Sequence, residues 1–480
     1  MIAYMRTFLS TLLLVLSSVS LHSQDKTIEL PLDGLTSGYD VYPMGKSGVL
    51  VVDRSGLVKS RYLVKQVYHL DIDLEIQNTF SIQMDDRYRK VSWQADDEGV
   101  YFLYQKRLLQ NELAIMHVKP NGEVEVNEIP LFEVMDIKHF HVANGNVLIG
   151  GIYEFKPIFF LYKLENNRIV PMQGLYDRNV NLIQSRIHKN AEVMSIVTSR
   201  QYGQNLRQFT HTIRSYDLEG NFLRKVKLET PNGEWINSTV VSDFIGTEEY
   251  VIGSYTDDGV RGHTGMYIAK IKADGSQEYK FTPYFQLPGF YTQYSDKRTD
   301  RIKTRAKEKY EKKGKWSTSR SLKFYVPQMG NDKIFVTAVK DIGDPNVYQL
   351  AFDTNLDLVG LGVTPYQKNS TQGLLNQLNR DDLPIGLNWV HEDNFYFVSK
   401  WSGNYDRRWS GKLVTRIMNV NGVEAYESKI PLLFENRIHG LRNRGMRYWY
   451  GNRMLTSGRI YLNGSTFGEF VVTSWTLDAK

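Results

Sequence analysis

Most of the chain alternates short runs of β-branched and aromatic residues with turns rich in Asn, Asp and Gly. Typical stretches are HVKPNGEVEVNEIPLF (117–132), YDLEGNFLRKVKL (216–228) and MNVNGVEAYESKIPLLF (418–434). Two such runs on either side of a short Gly-containing turn are a strong signal for a β-hairpin. The period of about 3.6 residues that marks an amphipathic helix is missing from these stretches. The pattern therefore predicts an all-β chain built from hairpins.

The hairpins recur in units of four predicted strands. The second strand of each unit begins near Gly48, Gly99, Asn146, Glu192, Glu249, Lys333, Asn394 and Arg453. A four-stranded unit that recurs about every 40–50 residues is typical of a propeller blade. The spacing predicts an eight-bladed β-propeller. Seven blades is the alternative, because the first and last units have the weakest patterns.

The two ends of the chain complement each other. The last unit stops after three predicted strands, whereas Thr27–Leu32 (TIELPL) stands alone before the first unit and is similar to the fourth strands NEIPLF and SKIPLLF. We expect this N-terminal strand to complete the C-terminal blade, because closing the ring removes the exposed edges of the sheets.

As an architecture, residues 24–480 resemble the β-propeller superfamily and form one predicted domain. The chain has no W-D dipeptide at blade ends, no kelch-type Gly-Gly pattern and no sialidase-type box. The resemblance therefore implies a fold and no particular activity, since one fold hosts many functions.

Residues 1–23 have the features of a signal peptide. Arg6 precedes an apolar run from Phe8 to Val19, and small residues follow. The run is shorter than the roughly 20 residues that span a bilayer, and a buried N-terminal helix is the alternative. We expect the chain to be exported to the periplasm, the outer surface or the medium, and not to span a membrane. The absence of Cys excludes disulfides, a thiol nucleophile and a lipid-modified N-terminal cysteine.

Charge is concentrated rather than spread evenly. The chain has 59 Lys and Arg against 53 Asp and Glu, a net charge of +6, and an insertion at 286–320 contains YSDKRTDRIKTRAKEKYEKKGKW. Ile302, Ala306 and Tyr310 recur every four residues there and predict a helix, for which Ser295 or Thr299 is a candidate cap. This helix is either a solvated surface element or a docking arm for an anionic or protein partner.

The long connections all fall on one predicted face of the propeller. They are 199–208, 256–265, 286–320, 400–411 and 434–450. Binding groups concentrate on variable loops that a rigid scaffold carries. Arg and aromatic side chains suit protein interfaces and anionic groups. We therefore predict a binding site formed by Tyr202, Arg207, Arg261, His263, Tyr405, Arg407, Arg408, Trp409, His439, Arg442, Arg444, Arg447 and Trp449.

The sequence has few signs of catalysis. His139 and His141 lie two apart on a predicted strand, so they point to the same side. They are either two metal ligands or, as we predict, two core or channel-lining histidines. The acidic turn at 256–259 (TDDG) is either a Ca²⁺ site or an ordinary polar turn. The sequence has no G-x-S-x-G elbow, P-loop or H-E-x-x-H motif, so we predict no metal and no cofactor.

Two functions are consistent with these features. The first is an exported, non-catalytic propeller whose basic, aromatic loop face binds a cell-envelope protein or an anionic polysaccharide. Nucleic acid is not expected, because no recognised binding motif accompanies the charge. The alternative is an enzyme active on polysaccharides, a lyase on an acidic glycan. It would need Tyr202, His263, Tyr405, Arg407 and His439 to converge, which the sequence cannot show.

Overall fold

The computed structural model describes residues 22–32, 38–107, 111–131, 134–188, 191–202, 208–257, 262–291, 294–330, 332–340, 346–365, 386–392, 394–402, 411–419, 424–431, 433–434, 437–462 and 466–477. Within these ranges the chain forms eight antiparallel sheets. The inner strand of each sheet contacts the inner strands of the two neighbouring sheets, and the last sheet contacts the first. The fold is therefore an eight-bladed β-propeller, as the repeat spacing predicts.

The first four blades follow each other along the chain. Blade 1 consists of β2 (Tyr39–Pro43), β3 (Val49–Asp53), β4 (Leu57–Lys59), β5 (Tyr62–Leu70) and β6 (Ile76–Asp85). Blade 2 consists of β7 (Tyr88–Asp96), β8 (Gly99–Lys106), β9 (Glu112–Val118) and β10 (Val124–Pro130). Blade 3 consists of β11 (Asp136–Ala143), β12 (Asn146–Tyr153), β13 (Lys156–Lys163) and β14 (Arg168–Pro171). Blade 4 consists of β15 (Val180–His188), β16 (Val193–Tyr202), β17 (Gln208–Asp217) and β18 (Phe222–Lys227).

The other four blades complete the ring. Blade 5 consists of β19 (Trp235–Ile236), β20 (Val240–Ile245), β21 (Glu248–Thr256), β22 (Gly265–Ile271) and β23 (Gln277–Pro283). Blade 6 consists of β24 (Leu322–Phe324), β25 (Gln328–Gly330), β26 (Lys333–Lys340), β27 (Asn346–Asp353) and β28 (Leu358–Pro365). Blade 7 consists of β29 (Gly386–His391), β30 (Asn394–Ser402), β31 (Gly411–Asn419) and β32 (Glu424–Pro431). Blade 8 consists of β33 (Leu433–Phe434), β34 (Arg437–Tyr448), β35 (Arg453–Leu462), β36 (Thr466–Leu477) and β1 (His22–Pro31).

Burial explains why the middle strands are the most apolar. In blade 2, the two middle strands β8 and β9 are almost wholly buried, whereas most residues of the outer strand β10 are exposed or only partly buried. A middle strand is covered on both faces by the neighbouring blades, so both of its faces must be apolar. The core is accordingly a ring of clusters between blades, such as the one that joins β3 to β8 through Leu50, Val52 and Phe102.

The N-terminal strand closes the ring, as predicted. β1 pairs antiparallel with β36 from His22 opposite Leu477 to Pro31 opposite Glu469, with one irregularity at Asp25. Leu30 is only 1% exposed and packs against Phe470. The strand begins at His22, earlier than the TIELPL pattern alone indicates, because main-chain pairing continues through polar residues.

The second strands also lie where the sequence places them. Five of the eight begin at the expected residue. β3 and β16 begin one residue later, at Val49 and Val193, and β21 begins one residue earlier, at Glu248. One expectation about the loops is wrong, because 434–450 is mostly the strand β34 and not a loop. β34 pairs with β35 around an irregularity between Leu441 and Met446, and its Gly- and Arg-rich sequence hides the alternation of a strand.

The antiparallel order sorts the connections onto two faces. The turn face carries the connections from the first to the second and from the third to the fourth strand of each blade. The loop face carries the second-to-third connections and the links between blades. One helix, α1 (Asp296–Lys313), lies in the link between blades 5 and 6 and therefore belongs to the loop face. No helix within the described ranges is both long and apolar enough to cross a membrane.

Closure of the ring predicts a position-specific loss of stability on β1. Leu30→Ala should lower the melting temperature, because deleting a fully buried leucine side chain costs about 2–5 kcal/mol. Lys26→Ala on the same strand should change it little, since the ion pair between Lys26 and Glu75 is open to solvent. Calorimetry of both variants checks the pairing, and equal melting temperatures for Leu30→Ala and the parent would contradict it.

Candidate functional site

Helix α1 is docked on blades 5 and 6 by the apolar stripe that the sequence predicts. Ala306 is 2% exposed in the core shared by these blades, and Ile302 and Tyr310 pack against the same core. The ring of Tyr310 lies 5.6 Å from the ring of Phe285. Gly314 ends the helix in the left-handed conformation (φ 62°), and its N–H donates to the Tyr310 carbonyl. The helix is therefore a fixed part of the loop face.

The segment after the helix is tied to the second-to-third loop of blade 5. His263 and Thr318 exchange two main-chain hydrogen bonds, of 2.7 and 2.9 Å, and the Thr264 hydroxyl donates to the Trp316 carbonyl. The His263 ring lies 3.1 Å from the amide nitrogen of Asn237. The structure thus brings one predicted site residue, His263, beside the charged insertion.

Five cations recur every four residues along α1, in a stripe that winds about 160° around the helix axis. They are Lys297, Arg301, Arg305, Lys309 and Lys313, and all are exposed. At a four-residue interval they are spaced about 6 Å apart, so the row is about 24 Å long. Within the described ranges none of the five forms an ion pair. Like charges four apart destabilise a helix, so folding alone does not account for this cation row.

A pocket lies between blades 1 and 2 on the loop face. Its volume is about 150 Å³, and it is lined where β2, β5 and β7 begin and where β3, β6 and β8 end. The apolar part of its wall includes Val52, Ile82, Met84 and Phe102. Its charged lining side chains are Asp40, Lys65, Asp85, Arg89, Lys90 and Arg107. The sequence gives no signal for this pocket, because its residues come from short connections and from strands far apart in the chain.

Asp40 is held in its charged form at one side of the pocket. Its carboxylate lies 3.0 Å from Arg54 Nε and 3.0 Å from Lys90 Nζ. Burial opposes ionisation of Asp40, but the charges of Lys90 and Arg54 outweigh burial and lower its pKa. Lys90 also donates to the hydroxyl of Tyr42 and lies over the Tyr42 ring. The ammonium group of Lys90 is therefore fixed in position.

Lys65 is a second fixed cation in the pocket. Its ammonium group donates to the main-chain carbonyls of Asp53, at 3.0 Å, and Arg54, at 2.8 Å. No carboxylate in the described part of the chain forms an ion pair with it. Burial, followed by the charge of Lys90, lowers the pKa of Lys65. A half-buried cation that carbonyls hold in place is a suitable partner for an incoming anion.

Two predicted residues near the C-terminus lie away from the loop face. Trp449 follows β34 in a turn on the turn face, is 3% exposed, and donates from Nε1 to the Gly48 carbonyl of blade 1. The guanidinium of Arg447 lies 5.6 Å from the centre of the Trp93 ring on β7. These contacts pack blade 8 against blades 1 and 2. The expectation that both residues lie on the loop face is wrong, because β34 already begins at Arg437 and its C-terminal end lies at the turn face.

The remaining predicted site residues are placed only in part. Tyr202 ends β16, and β34 contains His439, Arg442 and Arg444. The structure describes the main chain of these four residues but not their side chains. Also outside the described residues are Arg207, Arg261, Tyr405, Arg407, Arg408 and Trp409. Their convergence on the loop face therefore stays a prediction.

The paired histidines of blade 3 lie side by side as predicted. The rings of His139 and His141 are 6.3 Å apart, and His141 Nε2 lies 2.9 Å from the Ser185 hydroxyl. Burial lowers the pKa of His139 to about 4 and that of His141 to about 3. Among the described residues no three His, Asp or Glu form a cluster suited to a metal ion. Asp258 and Gly259 of the TDDG turn lie outside the described ranges.

An ionic network links blades 4 and 5 near the turn face. His188 Nδ1 lies 2.9 Å from Asp243, which also pairs with Arg186. Glu249 is fully buried, accepts from the Ser195 hydroxyl and lies 2.8 Å from Arg224. This position, on the opposite side from the loops, makes the network a tie between blades.

An aromatic patch on blade 3 also escaped sequence analysis. Phe155 is 87% exposed at the tip of the turn between β12 and β13, where Glu154 and Phe155 both have positive φ. Beside it, the rings of Tyr153 and Tyr176 are stacked, and Lys156 Nζ lies 3.8 Å from the Tyr176 ring centre. The turn contains no Gly, Asn or Asp, so the sequence offers little signal for it.

Comparisons with known proteins show no family and no activity for this chain. No protein-family model and no curated protein matches the chain. Among solved structures it is similar to the β-propeller domain of the Trilobed protease from Pyrococcus furiosus, at 10% identity and a TM-score of 0.39 over 80% of this chain and 95% of that chain. It is also similar to the WD40 domain of SCAP from fission yeast, at 8% identity and a TM-score of 0.41 over 94% of each chain. These similarities concern the fold alone. The assignment as an eight-bladed propeller rests on the eight sheets of this chain.

The buried histidines predict that stability falls in mild acid. Because burial lowers the folded pKa of His141 to about 3 from the ordinary 6.5, the unfolded chain takes up a proton first as the pH falls below 6.5. The stability that the neutral His141 contributes is fully present above pH 6.5 and is lost progressively as the pH falls from 6.5 towards the folded pKa of about 3. His141→Gln should remove about 2 kcal/mol of the loss between about pH 7 and pH 5.

Melting temperatures of the parent and of His141→Gln across this range test the effect. The difference near neutral pH measures the packing change alone and serves as the control. A parent whose melting temperature stays constant between the two pH values would contradict the prediction.

Proposed function

We propose that this chain is an exported, non-catalytic propeller whose loop face binds an anionic polymer of the cell envelope. The observation that carries the proposal is the cation row of α1, held rigidly on blades 5 and 6 by Ala306 and its neighbours. A row of like charges at a regular interval suits a partner that also carries charges at intervals. An acidic protein of the cell envelope carries the same sign of charge as such a polymer and is the second candidate partner.

The rigid placement of α1 lowers the entropic cost of binding. A mobile arm would lose conformational freedom on binding, whereas α1 is already ordered by its apolar stripe and its contacts with the blade 5 loop. The repulsion within the row, which weakens the helix in the free protein, is relieved when an anion lies along it. The free energy of that relief contributes to binding rather than to folding.

Export is the other part of the proposal and is supported by the N-terminal sequence. Residues 1–23 have the composition of a signal peptide. A chain that starts at Gln24 would keep the β1 pairing from Lys26 to Pro31 with β36. Removal of the segment is therefore compatible with ring closure.

The cation row predicts a loss of polymer binding that depends on position. The triple variant Arg301→Gln, Arg305→Gln, Lys309→Gln should bind polygalacturonate about tenfold more weakly, since exposed ion pairs contribute up to about 1 kcal/mol each. Glutamine preserves helix propensity. Titration calorimetry at low salt measures the affinity, and added salt should weaken the parent's binding through screening.

A matched control is available on the same helix. Lys303→Gln, Lys307→Gln removes two charges from the other side of the helix, about 120° or more around the axis from Arg301, Arg305 and Lys309, and should retain most of the affinity. An equal loss per charge in the two variants would mean that net charge alone attracts the polymer. A parent that binds neither polygalacturonate nor an acidic envelope protein would reject the proposal.

The alternative function, a lyase on an acidic glycan, has less support. A lyase needs a base near a cation, and Tyr42, Tyr88 and Tyr104 are the buried tyrosines of the pocket between blades 1 and 2. Burial raises the pKa of all three, so none is prepared to take a proton at neutral pH. Of the other candidate bases, His263 lies beside Asn237 on the blade 5 loop, and the structure does not describe the side chains of Tyr202, Tyr405 and His439. Ultraviolet absorbance of an unsaturated uronate in the polymer incubations would identify this activity.

A further inference from the structure

We propose that the pocket between blades 1 and 2 is a second binding site, for a carboxylate carried on an apolar body about the size of a benzene ring. The site is separate from the cation row of α1, which lies between blades 5 and 6. The proposal therefore stands or falls independently of polymer binding.

The size and wall of the pocket define the apolar part of the ligand. A cavity of about 150 Å³ with an apolar lining is known to hold benzene. Val52, Ile82 and Phe102 are almost completely buried and form part of the wall. An apolar group of the ligand that packs against this wall is removed from water, which favours binding.

The charges of the pocket define the polar part of the ligand. Four cationic side chains, Lys65, Arg89, Lys90 and Arg107, line the pocket together with two carboxylates. Both carboxylates are engaged by arginines, Asp40 by Arg54 and Asp85 by Arg87. The unbalanced charge is therefore positive, which favours an anion and disfavours a cation of the same shape.

The fixed ammonium groups supply donors for that anion. An ammonium group has three N–H donors. Lys65 uses two of them on main-chain carbonyls, and Lys90 uses two on Asp40 and Tyr42. Each is left with one donor while its position is held by the other two. Two single donors beside an apolar wall suit a monoanionic carboxylate.

Burial of Lys65 agrees with this assignment. Its pKa is lowered because the ammonium group is partly removed from water and lies near Lys90. A bound carboxylate would stabilise the charged form, so the cation gains more from an anion than a fully hydrated lysine would.

The test uses benzoate as the probe and Trp93 as the reporter. The Trp93 ring lies 4.8 Å from the Tyr42 ring, and Tyr42 lines the pocket. In protein labelled with fluorotryptophan, the fluorine resonance of Trp93 is assigned by comparison with Trp93→Phe. We expect benzoate to shift this resonance with saturation, and benzamide, which has the same shape without the charge, to bind at least about tenfold more weakly.

Variants locate the site. Lys65→Met keeps the apolar stem and should weaken benzoate binding about tenfold, and so should Arg107→Gln at an exposed position where folding is not at risk. Lys59→Met is the matched control, because Lys59 is exposed on β4 of the same blade and does not line the pocket. It should bind benzoate as the parent does. The triple variant in the cation row should also do so, which separates this site from the polymer site.

Three results would overturn the proposal. They are no saturable shift with benzoate, equal binding of benzamide, and parental affinity in both Lys65→Met and Arg107→Gln. Equal binding of benzamide would mean that the pocket recognises only the apolar ring and that its cations stabilise the fold. If Lys65→Met melts well below the parent, Arg107→Gln alone decides the outcome.

Discussion

The pairing of β1 with β36 joins the two ends of the chain within one blade, and the rest of the propeller depends on it. Without β1, the last blade would present an open edge at β36 and lose the packing of Leu30 against Phe470. Closure also fixes blade 8 beside blade 1, where Trp449 donates to the Gly48 carbonyl across the junction. Every contact between neighbouring blades is thereby held in a ring rather than in an open array.

A closed ring leaves little freedom for function in the sheets themselves. The middle strands are buried on both faces, and inner-strand residues such as Gln94 and Gln184 bond the main chain of the next blade. Chemistry that addresses a partner is therefore carried by the ends of the strands and by the connections. In the described part of the chain, the loop face carries the cation row, the pocket between blades 1 and 2, and the aromatic patch around Phe155.

The charges on the loop face are costly for the free protein. The cations of α1 repel one another at a four-residue interval, and Lys65 is held partly buried by carbonyls instead of a carboxylate. By contrast, each arginine of the turn-face network pairs with a carboxylate, Arg186 with Asp243 and Arg224 with Glu249. Charges that folding does not neutralise are the ones available to a ligand.

The sequence by itself determined the elements and their count. Turn chemistry and alternating apolar residues located the hairpins, and the four-residue stripe of Ile302, Ala306 and Tyr310 located α1. These signals are local, so they survive without knowledge of the fold. The same signals did not locate the first part of β34, because its Gly and Arg residues give no alternation, and Trp449 was therefore expected on the wrong face.

Only the tertiary structure decided which side chains meet. Asp40, Lys65 and Lys90 belong to β2, β5 and β7 and come together because blade 1 packs against blade 2 with the ends of these strands on one face. Nothing in the spacing of the three residues indicates a pocket. A local pattern specifies a strand, because a strand needs only its neighbours. A binding site depends on the packing of whole blades, which no single stretch of sequence encodes.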